Sequence, residues 1–354
     1  MERATHFCRA LLACTLLSLL SLDPACSSAL HADEEVIFVP STARFLDDGQ
    51  IEARIEAWVF EREDRPGLNG LFAKHLQLNL ETLPIADRQR FLSRTQLFRV
   101  DSESFKQLMV GMDGYCCTVH PLTKTNFAGR SSTRIILAAG DPTKQWVRLS
   151  LQMRSADPRQ FRGRALLVPK RGLSVISDID DTIKISQVRD RRALLLNTFL
   201  NPFVAAPGMV ERYSILAKEP DVAFHYVSSS PIQLYPPLRR FLRQSGFPAG
   251  SVHLRESTSF LNLIAKHGDS RTHKLDTIHH LLSDFPERQF LLIGDSGEAD
   301  PEIYGEIARG YRDQIIGIQI RDVSGEDADS PRYRSAFLNL PAELWQVFRT
   351  RQSD

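Results

Sequence analysis

The chain has 354 residues, 42% of them hydrophobic and 25% charged, and its 44 basic and 43 acidic side chains leave a formal net charge of +1. This is ordinary globular composition, with nothing of the disordered, collagen-like or repeat classes. The charge balance excludes a global field for nucleic acid and gives no case for an acidic partner, so any recognition must rest on local charge. The length fits two domains, or one large domain with additions.

Arg3 and Arg9 precede an apolar stretch from Ala10 to Leu22, and small residues from Ala25 to Ala29 follow. That charged, apolar, small-residue order predicts a secretory signal over residues 1–29, with cleavage after Ala29 or Ala32. The expected protein is exported, periplasmic or secreted. The apolar run is shorter than the roughly 20 residues of a membrane span. An uncleaved interfacial anchor is the alternative, and a lipid-anchored Cys26 sits badly with Asp23 and Pro24. Only Cys116 and Cys117 lie beyond this segment. Adjacent cysteines rarely bond each other, and no histidine or cysteine cluster accompanies them. They read as partly buried thiols in a strand.

Residues 30–168 are mostly strand-like, with β-rich runs at Val36–Val39, Ile51–Phe60, Gln107–Val119 and Arg134–Leu137 and a turn signal at Asp113-Gly114. Leu68–Leu80 and Ala86–Thr95 read as helical insertions. The expected unit is a smaller β-rich, sandwich-like accessory domain.

From residue 169 to 354 short apolar runs alternate with amphipathic stretches. Strands are expected at Leu173–Ile176, Val222–Val227, Val252–Leu254, Phe290–Ile293 and Ile315–Ile320, the last closing the series. Helices are expected at Arg191–Leu200, Leu234–Gln244, Lys274–Leu282 and Pro301–Arg309. That alternation gives the fold class: α/β, a parallel sheet with helices on both faces. In such sheets the ligand site lies beyond the carboxyl ends of the strands.

The first strand runs into Asp178-Ile179-Asp180-Asp181-Thr182. Three carboxylates in four positions repel one another and are costly to desolvate without a cation. A hard divalent ion with oxygen ligands resolves both problems. The next strand ends in Ser228-Ser229-Ser230-Pro231, whose hydroxyls and N–H groups suit phosphate oxygens. Gly294-Asp295-Ser296-Gly297-Glu298-Ala299-Asp300 brings further carboxylates to the same edge, and Lys274 supplies a positive charge. Carboxylates, a metal, hydroxyls and a lysine at one edge make a site for phosphoryl transfer.

Asp178-Ile179-Asp180-Asp181-Thr182 resembles the DxDx(T/V) signature of haloacid-dehalogenase-like (HAD) phosphatases. Ser228, Lys274 and the GDxxxxD run from Gly294 to Asp300 match that superfamily's other motifs in order. Longer strings, His225-Tyr226-Val227-Ser228-Ser229-Ser230-Pro231 and Leu292-Ile293-Gly294-Asp295-Ser296-Gly297-Glu298, resemble the actin-patch-associated phosphatidate phosphatase family. Pro301-Glu302-Ile303-Tyr304 and Ile320-Arg321-Asp322 fit it too, so the resemblance covers about Arg171 to Val323. It implies a HAD-like Rossmannoid domain that hydrolyses a phosphomonoester.

The resemblance implies a role for each matching residue. Asp178 is the nucleophile that forms an aspartyl-phosphate. Asp180, two residues on and on the same side of an extended segment, is the acid and then the base. Mg2+ is held by Asp178, the backbone carbonyl of Asp180 and Asp295, with Asp300 either a further ligand or the N-cap of the helix at Pro301. Ser228 and the Ser229 N–H meet the phosphoryl oxygens. Lys274 neutralises nucleophile and phosphate together, although His273, Lys266, His267 and Arg271 lie close to it in sequence. Thr182 orients the acid/base loop by hydrogen bonds, Lys184 meets substrate or is a surface lysine, and Asp181 points away to cap backbone. Arg189, Arg191 and Arg192 form either a basic run for an anionic surface or a solvated helix face. Asn201-Pro202-Phe203 reads as a loop with a buried Phe. The implied substrate is a phosphorylated lipid, phosphatidate, met at a membrane surface, and no nucleic acid is expected. The alternatives are a phosphatase for a soluble ester and a non-catalytic phosphate-binding scaffold. The latter is at odds with the intact Asp178, Asp180 and Asp295.

Overall fold

A computed structural model describes residues 27–63, 67–115, 118–138, 141, 143–256 and 268–350. Most of the expected signal segment, Cys116, Cys117, Lys266 and His267 therefore lie outside the described residues.

The first half is a nine-stranded sheet built from β1 (Glu34–Val39), β2 (Ser41–Phe45), β3 (Ile51–Arg62), β4 (Val100–Ser102), β5 (Met109–Met112), β6 (Val119–Pro121), β7 (Arg130–Leu137), β8 (Trp146–Leu151) and β9 (Arg162–Val168). A sandwich-like pair of sheets was expected, but the strands hydrogen-bond as one sheet. The reason is β3. Its twelve residues pair with β1 and β2 along one edge and with β4 and β7 along the other. Strand alternation then sorts its side chains. Ile51, Ala53, Ile55, Ala57 and Val59 enter a core with Val110, Leu149 and Leu167, whereas Trp58 and Phe60 face the other way. Helices α1 (Leu68–His75) and α2 (Ile85–Gln96) interrupt this half near the expected positions. β2, β4, β8 and β9 escaped the sequence reading, because short mixed runs such as Arg162–Val168 lack clean alternation.

The second half is a six-stranded parallel sheet with β10 (Leu173–Ser177), β11 (Ala223–Pro231), β12 (Ser251–Arg255), β13 (Gln289–Asp295), β14 (Ile315–Arg321) and β15 (Trp345–Phe348), in the order β12-β11-β10-β13-β14-β15. The series therefore does not close at Ile320. The four-residue β15 pairs parallel with β14, and it is too short to show periodicity in sequence. The helices are α3 (Arg191–Phe199), α4 (Met209–Leu216), α5 (Tyr235–Ser245), α6 (Gly268–Asp284), α7 (Asp300–Gly310) and α8 (Pro331–Ala336). Chain order leaves β10 toward β11 on one side and returns at β13 on the other. The crevice beyond β10 and β13 is thus the topological switch point, where such sheets bind ligands.

The two halves share a core. Trp58, Phe60, Phe72 and Phe91 cluster with Ile179 and Phe199, and Phe72 meets Phe199 edge-on at 5.1 Å between ring centroids. Buried Arg94 donates to the carbonyls of Thr198 at 2.9 Å and Asn201 at 2.7 Å, satisfying the end of α3. Phe203, expected as a buried Phe in a loop, is partly buried against this core, with the Arg94 guanidinium 3.9 Å from its ring centroid. Among the described residues no helix is long and apolar enough to cross a membrane.

The start of β10 is clamped by buried Arg288. Its guanidinium donates to Ser174 Oγ at 2.8 Å, to the carbonyls of Pro169 at 2.9 Å and Asp221 at 2.7 Å, and to the carbonyl of Leu173. His225, on neighbouring β11, lies 2.8 Å from Ser251 Oγ and 3.2 Å from Ser174 Oγ. Burial, and then the Arg288 charge, push its pKa down to about 3. The folded protein keeps this imidazole neutral, whereas the unfolded chain takes up a proton below about pH 6.5. Stability is therefore full above that value and is lost as pH falls toward 3. In His225→Gln, urea unfolding between pH 4 and 6 should show a pH slope smaller by about one proton; an unchanged slope would remove His225 from this role.

Candidate active site

Asp178 follows directly on β10 and is fully buried, its N–H donating to the Ile293 carbonyl of β13 at 2.9 Å. The chain then turns sharply. Ile183 and Lys184 both donate to the Ile179 carbonyl, at 3.0 and 2.9 Å, and Asp181 takes a left-handed φ of 55°, which aspartate tolerates better than most residues. As expected, Asp181 caps backbone: its carboxylate accepts from the N–H groups of Ser186, Gln187 and Val188 at 2.7, 2.8 and 2.6 Å. Arg321 on β14 donates to its carbonyl at 2.6 Å.

This turn aims Asp178 and Asp180 into different surroundings. Asp180 is ion-paired with Lys184 at 2.7 Å and accepts from Ser186 at 2.7 Å, Ser228 at 3.1 Å and Ser230 at 2.8 Å. Burial raises its proton affinity, but Lys184 and these hydroxyls outweigh it and hold the carboxyl well below the usual carboxylate range. Lys184 is therefore not a surface lysine; it is buried, and its ammonium also lies 4.9 Å from the Phe203 ring centroid. Thr182 is buried too, yet its hydroxyl makes no hydrogen bond among the described residues, so the expected orienting bond is not made.

Lys274 does not open its helix, as the sequence predicted. α6 begins at Gly268, which places Lys274 in the second turn with its side chain buried. That position removes it from the unfavourable positive end of the helix dipole. Its ammonium lies 2.9 Å from Asp178 Oδ1, 3.1 Å from Glu298 Oε2 and 2.6 Å from Asp300 Oδ1. Of its neighbours, Arg271 pairs with Glu306, Ser270 bonds Ser229, and burial pushes His273 down to about 4.

Asp295 ends β13, and its Oδ1 accepts the Gly297 N–H at 2.5 Å. Asp300 is not the N-cap of α7. It is the first helical residue, makes no cap bond, and instead divides its oxygens between Lys274 and the Asp295 N–H, the latter at 3.2 Å. Burial chiefly, then the neighbouring carboxylates, push Asp295 well above the usual range; burial does the same to Asp178 and raises Glu298, in both cases against the pull of Lys274. Burial opposes a charged Lys274, but Asp178, Asp300 and Glu298 hold its pKa up.

The crowd of carboxylates fits a hard cation. Asp178, Asp295 and Asp300 each offer an oxygen, all within 4.8 Å of one another and all buried. Among the described residues Asp178 Oδ2 and Asp295 Oδ2 make no hydrogen bond, and Asp178 Oδ1 meets only the Lys274 ammonium. Buried acceptors left open in this way are costly unless another ligand takes them, and oxygen donors of this kind suit Mg2+ or Ca2+. The Asp180 side chain stands outside this group, turned to Lys184.

Three supporting residues were missed. Ser186 and Ser230 hold Asp180 (Ser230 lay within a motif string without a role of its own). Arg332 donates to the Ser296 carbonyl at 2.5 Å and to the Glu298 carbonyl, fixing the Asp295–Asp300 loop. Nothing in the sequence signals that anchor, more than thirty residues downstream. Arg189 donates to the Ser324 carbonyl at 2.9 Å, and Arg191 and Arg192 lie on the first turn of α3, so the basic run is not gathered at the carboxylates.

The family model described as phosphatidate phosphatase APP1, catalytic domain, matches residues 173–322. Phosphatidate phosphatase APP1 of Saccharomyces cerevisiae is 37% identical over 188 residues, 52% of this chain and 32% of that protein. An uncharacterized protein of Schizosaccharomyces pombe is 31% identical over 182 residues, 50% of this chain and 30% of its own. The chain thus spans about a third of the length of these curated relatives. A solved carbohydrate esterase structure aligns with 84% of this chain at 11% identity and a TM-score of 0.21, too low to inform the fold.

Gly294, in β13 just before the Asp295–Asp300 loop, tolerates no side chain. A Cβ there would stand 2.4 Å from Asp300 Oδ2 and 2.7 Å from Tyr304 Cε2. Gly294→Ala should lower stability by about 2 kcal/mol in chemical denaturation, since neither neighbour has room to retreat. A loss within error of zero would mean that the loop is looser than this geometry implies.

Proposed function

From the match of residues 173–322 to the family model described as phosphatidate phosphatase APP1, catalytic domain, we propose that this chain is a HAD-like phosphomonoesterase that converts phosphatidate to diacylglycerol and phosphate. The observation that carries the reading is the buried Asp178, one oxygen paired with Lys274 and the other open, at the switch point of a parallel sheet. An Asp178 oxygen forms a bond to phosphorus while the bond from phosphorus to the alcohol oxygen breaks. Asp180 gives a proton to the departing alkoxide. Water then attacks the aspartyl-phosphate, Asp180 takes its proton, and phosphate leaves with Asp178 restored.

Asp180 must gain a proton before it can act as an acid, and its resting bonds keep it ionised. The Ser228 and Ser230 hydroxyls that now donate to it are the groups that would meet phosphoryl oxygens. When substrate takes those hydroxyls, Asp180 loses two donors and its proton affinity rises. Lys274 stabilises the charge carried by Asp178 and the phosphoryl group. Asp178, Asp295 and Asp300 would hold Mg2+, which supplies further charge neutralisation when bound. We further propose export by the N-terminal segment.

Asp178→Asn should cut phosphate release by at least about a thousandfold while leaving the melting temperature near wild type. A panel of phosphatidate vesicles, short-chain phosphatidate, nucleotides and sugar phosphates tests the substrate. Release from a soluble ester only would overturn the lipid assignment, and near-wild-type release by Asp178→Asn would overturn the mechanism.

Metal binding has a readout of its own. Mg2+ at one hundred times its dissociation constant should stabilise the chelated protein by about 2.7 kcal/mol. Asp295→Asn should abolish that shift; an equal shift in the variant would place the ion elsewhere.

A further inference from the structure

Balanced overall charge does not require arginines to gather, yet five of them do. A groove of about 510 Å³ runs along α5 between the two sheets and ends at Pro248–Gly250. It continues into a second hollow of about 320 Å³ over Arg240. One wall is β9, where Arg162 and Arg164 stand two residues apart on the same side of the strand. The other is α5, where Arg239 and Arg243 are one turn apart and so share a helix face. Phe38, Tyr235 and Phe247 lie between them.

No carboxylate lines either hollow, and none of the five arginines forms an ion pair among the described residues. All five are exposed. Arg164 is held with its guanidinium 3.8 Å above the Trp146 ring centroid. Like charges set close together without a counter-ion are unfavourable. Burial, and then Arg239 and Arg148 nearby, weaken the hold of Arg164 on its proton, against the pull of Tyr235. The groove is also remote from the catalytic carboxylates. It ends where β12 begins, whereas Asp178 and Asp295 stand at the opposite, carboxyl ends of their strands.

We propose that this groove is a second binding site, for a ligand carrying at least two phosphate groups, gripped between the guanidiniums of β9 and α5. Guanidiniums bind phosphate through paired N–H donors, and two facing rows suit two phosphates better than one. Such a ligand is either a free polyphosphate or the headgroup of a lipid with more than one phosphate. The site lies between the sheets, so its occupant contacts both and resists their separation.

The test uses the full chain in chelator, where the uncompensated catalytic carboxylates repel anions. Tripolyphosphate and orthophosphate are titrated calorimetrically, and vesicles with and without a multiply phosphorylated inositol lipid are sedimented with the protein. Arg239→Gln/Arg243→Gln alters exposed side chains of α5, and Arg162→Gln alters the opposite wall if the first variant fails to fold. Tripolyphosphate or the inositol-lipid vesicles should bind the wild type, with orthophosphate far weaker, and either variant should weaken that binding by at least about tenfold. Melting temperature should remain at the wild-type value, as should hydrolysis of short-chain phosphatidate once Mg2+ is restored. The inference is overturned if neither probe binds, if the variants bind as the wild type does, or if orthophosphate binds as tightly as tripolyphosphate.

Discussion

The site depends on one buried ammonium. Lys274 lies within 3.1 Å of Asp178, Glu298 and Asp300, in a region that also buries Asp295. Removing so many carboxylates from water is affordable only if cations compensate them. One lysine falls short of four carboxylates, and the shortfall appears as raised proton affinity at Asp178, Asp295 and Glu298 and as acceptor oxygens with no hydrogen bond. The site is therefore built around missing positive charge, which a divalent cation can supply.

The two aspartates of the first motif are separated by their electrostatics. Asp178 faces carboxylates and a lysine shared three ways, whereas Asp180 has Lys184 and three serine hydroxyls to itself. Burial alone would raise both. It prevails at Asp178 and is overcome at Asp180. The proton affinities of two acids two residues apart are thus shifted in opposite directions, because a turn with Asp181 at positive φ aims them at different partners.

The β-rich half is joined to this chemistry through packing. β3 turns one face to its own core and offers Trp58 and Phe60 from the other to the cluster that holds Ile179, within the catalytic turn. Arg94 bonds carbonyls at the end of α3, and Val252 of β12 donates to the Pro40 carbonyl at 2.8 Å. Pro40 and Val252 also line the arginine groove, so the sheets that support the catalytic turn frame the second site as well.

Much of this was legible in the sequence. Alternation of apolar runs with amphipathic stretches gave the parallel sheet, and motif spacing put Asp178, Ser228 and Asp295 at strand ends, because such patterns are local. Partners were not legible. Whether Lys184 met solvent or Asp180, whether Asp300 capped a helix or gripped Lys274, and that Arg332 anchors the Asp295–Asp300 loop all depended on contacts distant along the chain. Lys274 shows the division most clearly. Sequence supplied a lysine in a motif; only its packing within α6 buried it, and only the sheet order brought it to Asp178. Residue type and period are local properties, whereas burial and ion pairing exist only once the chain has closed on itself.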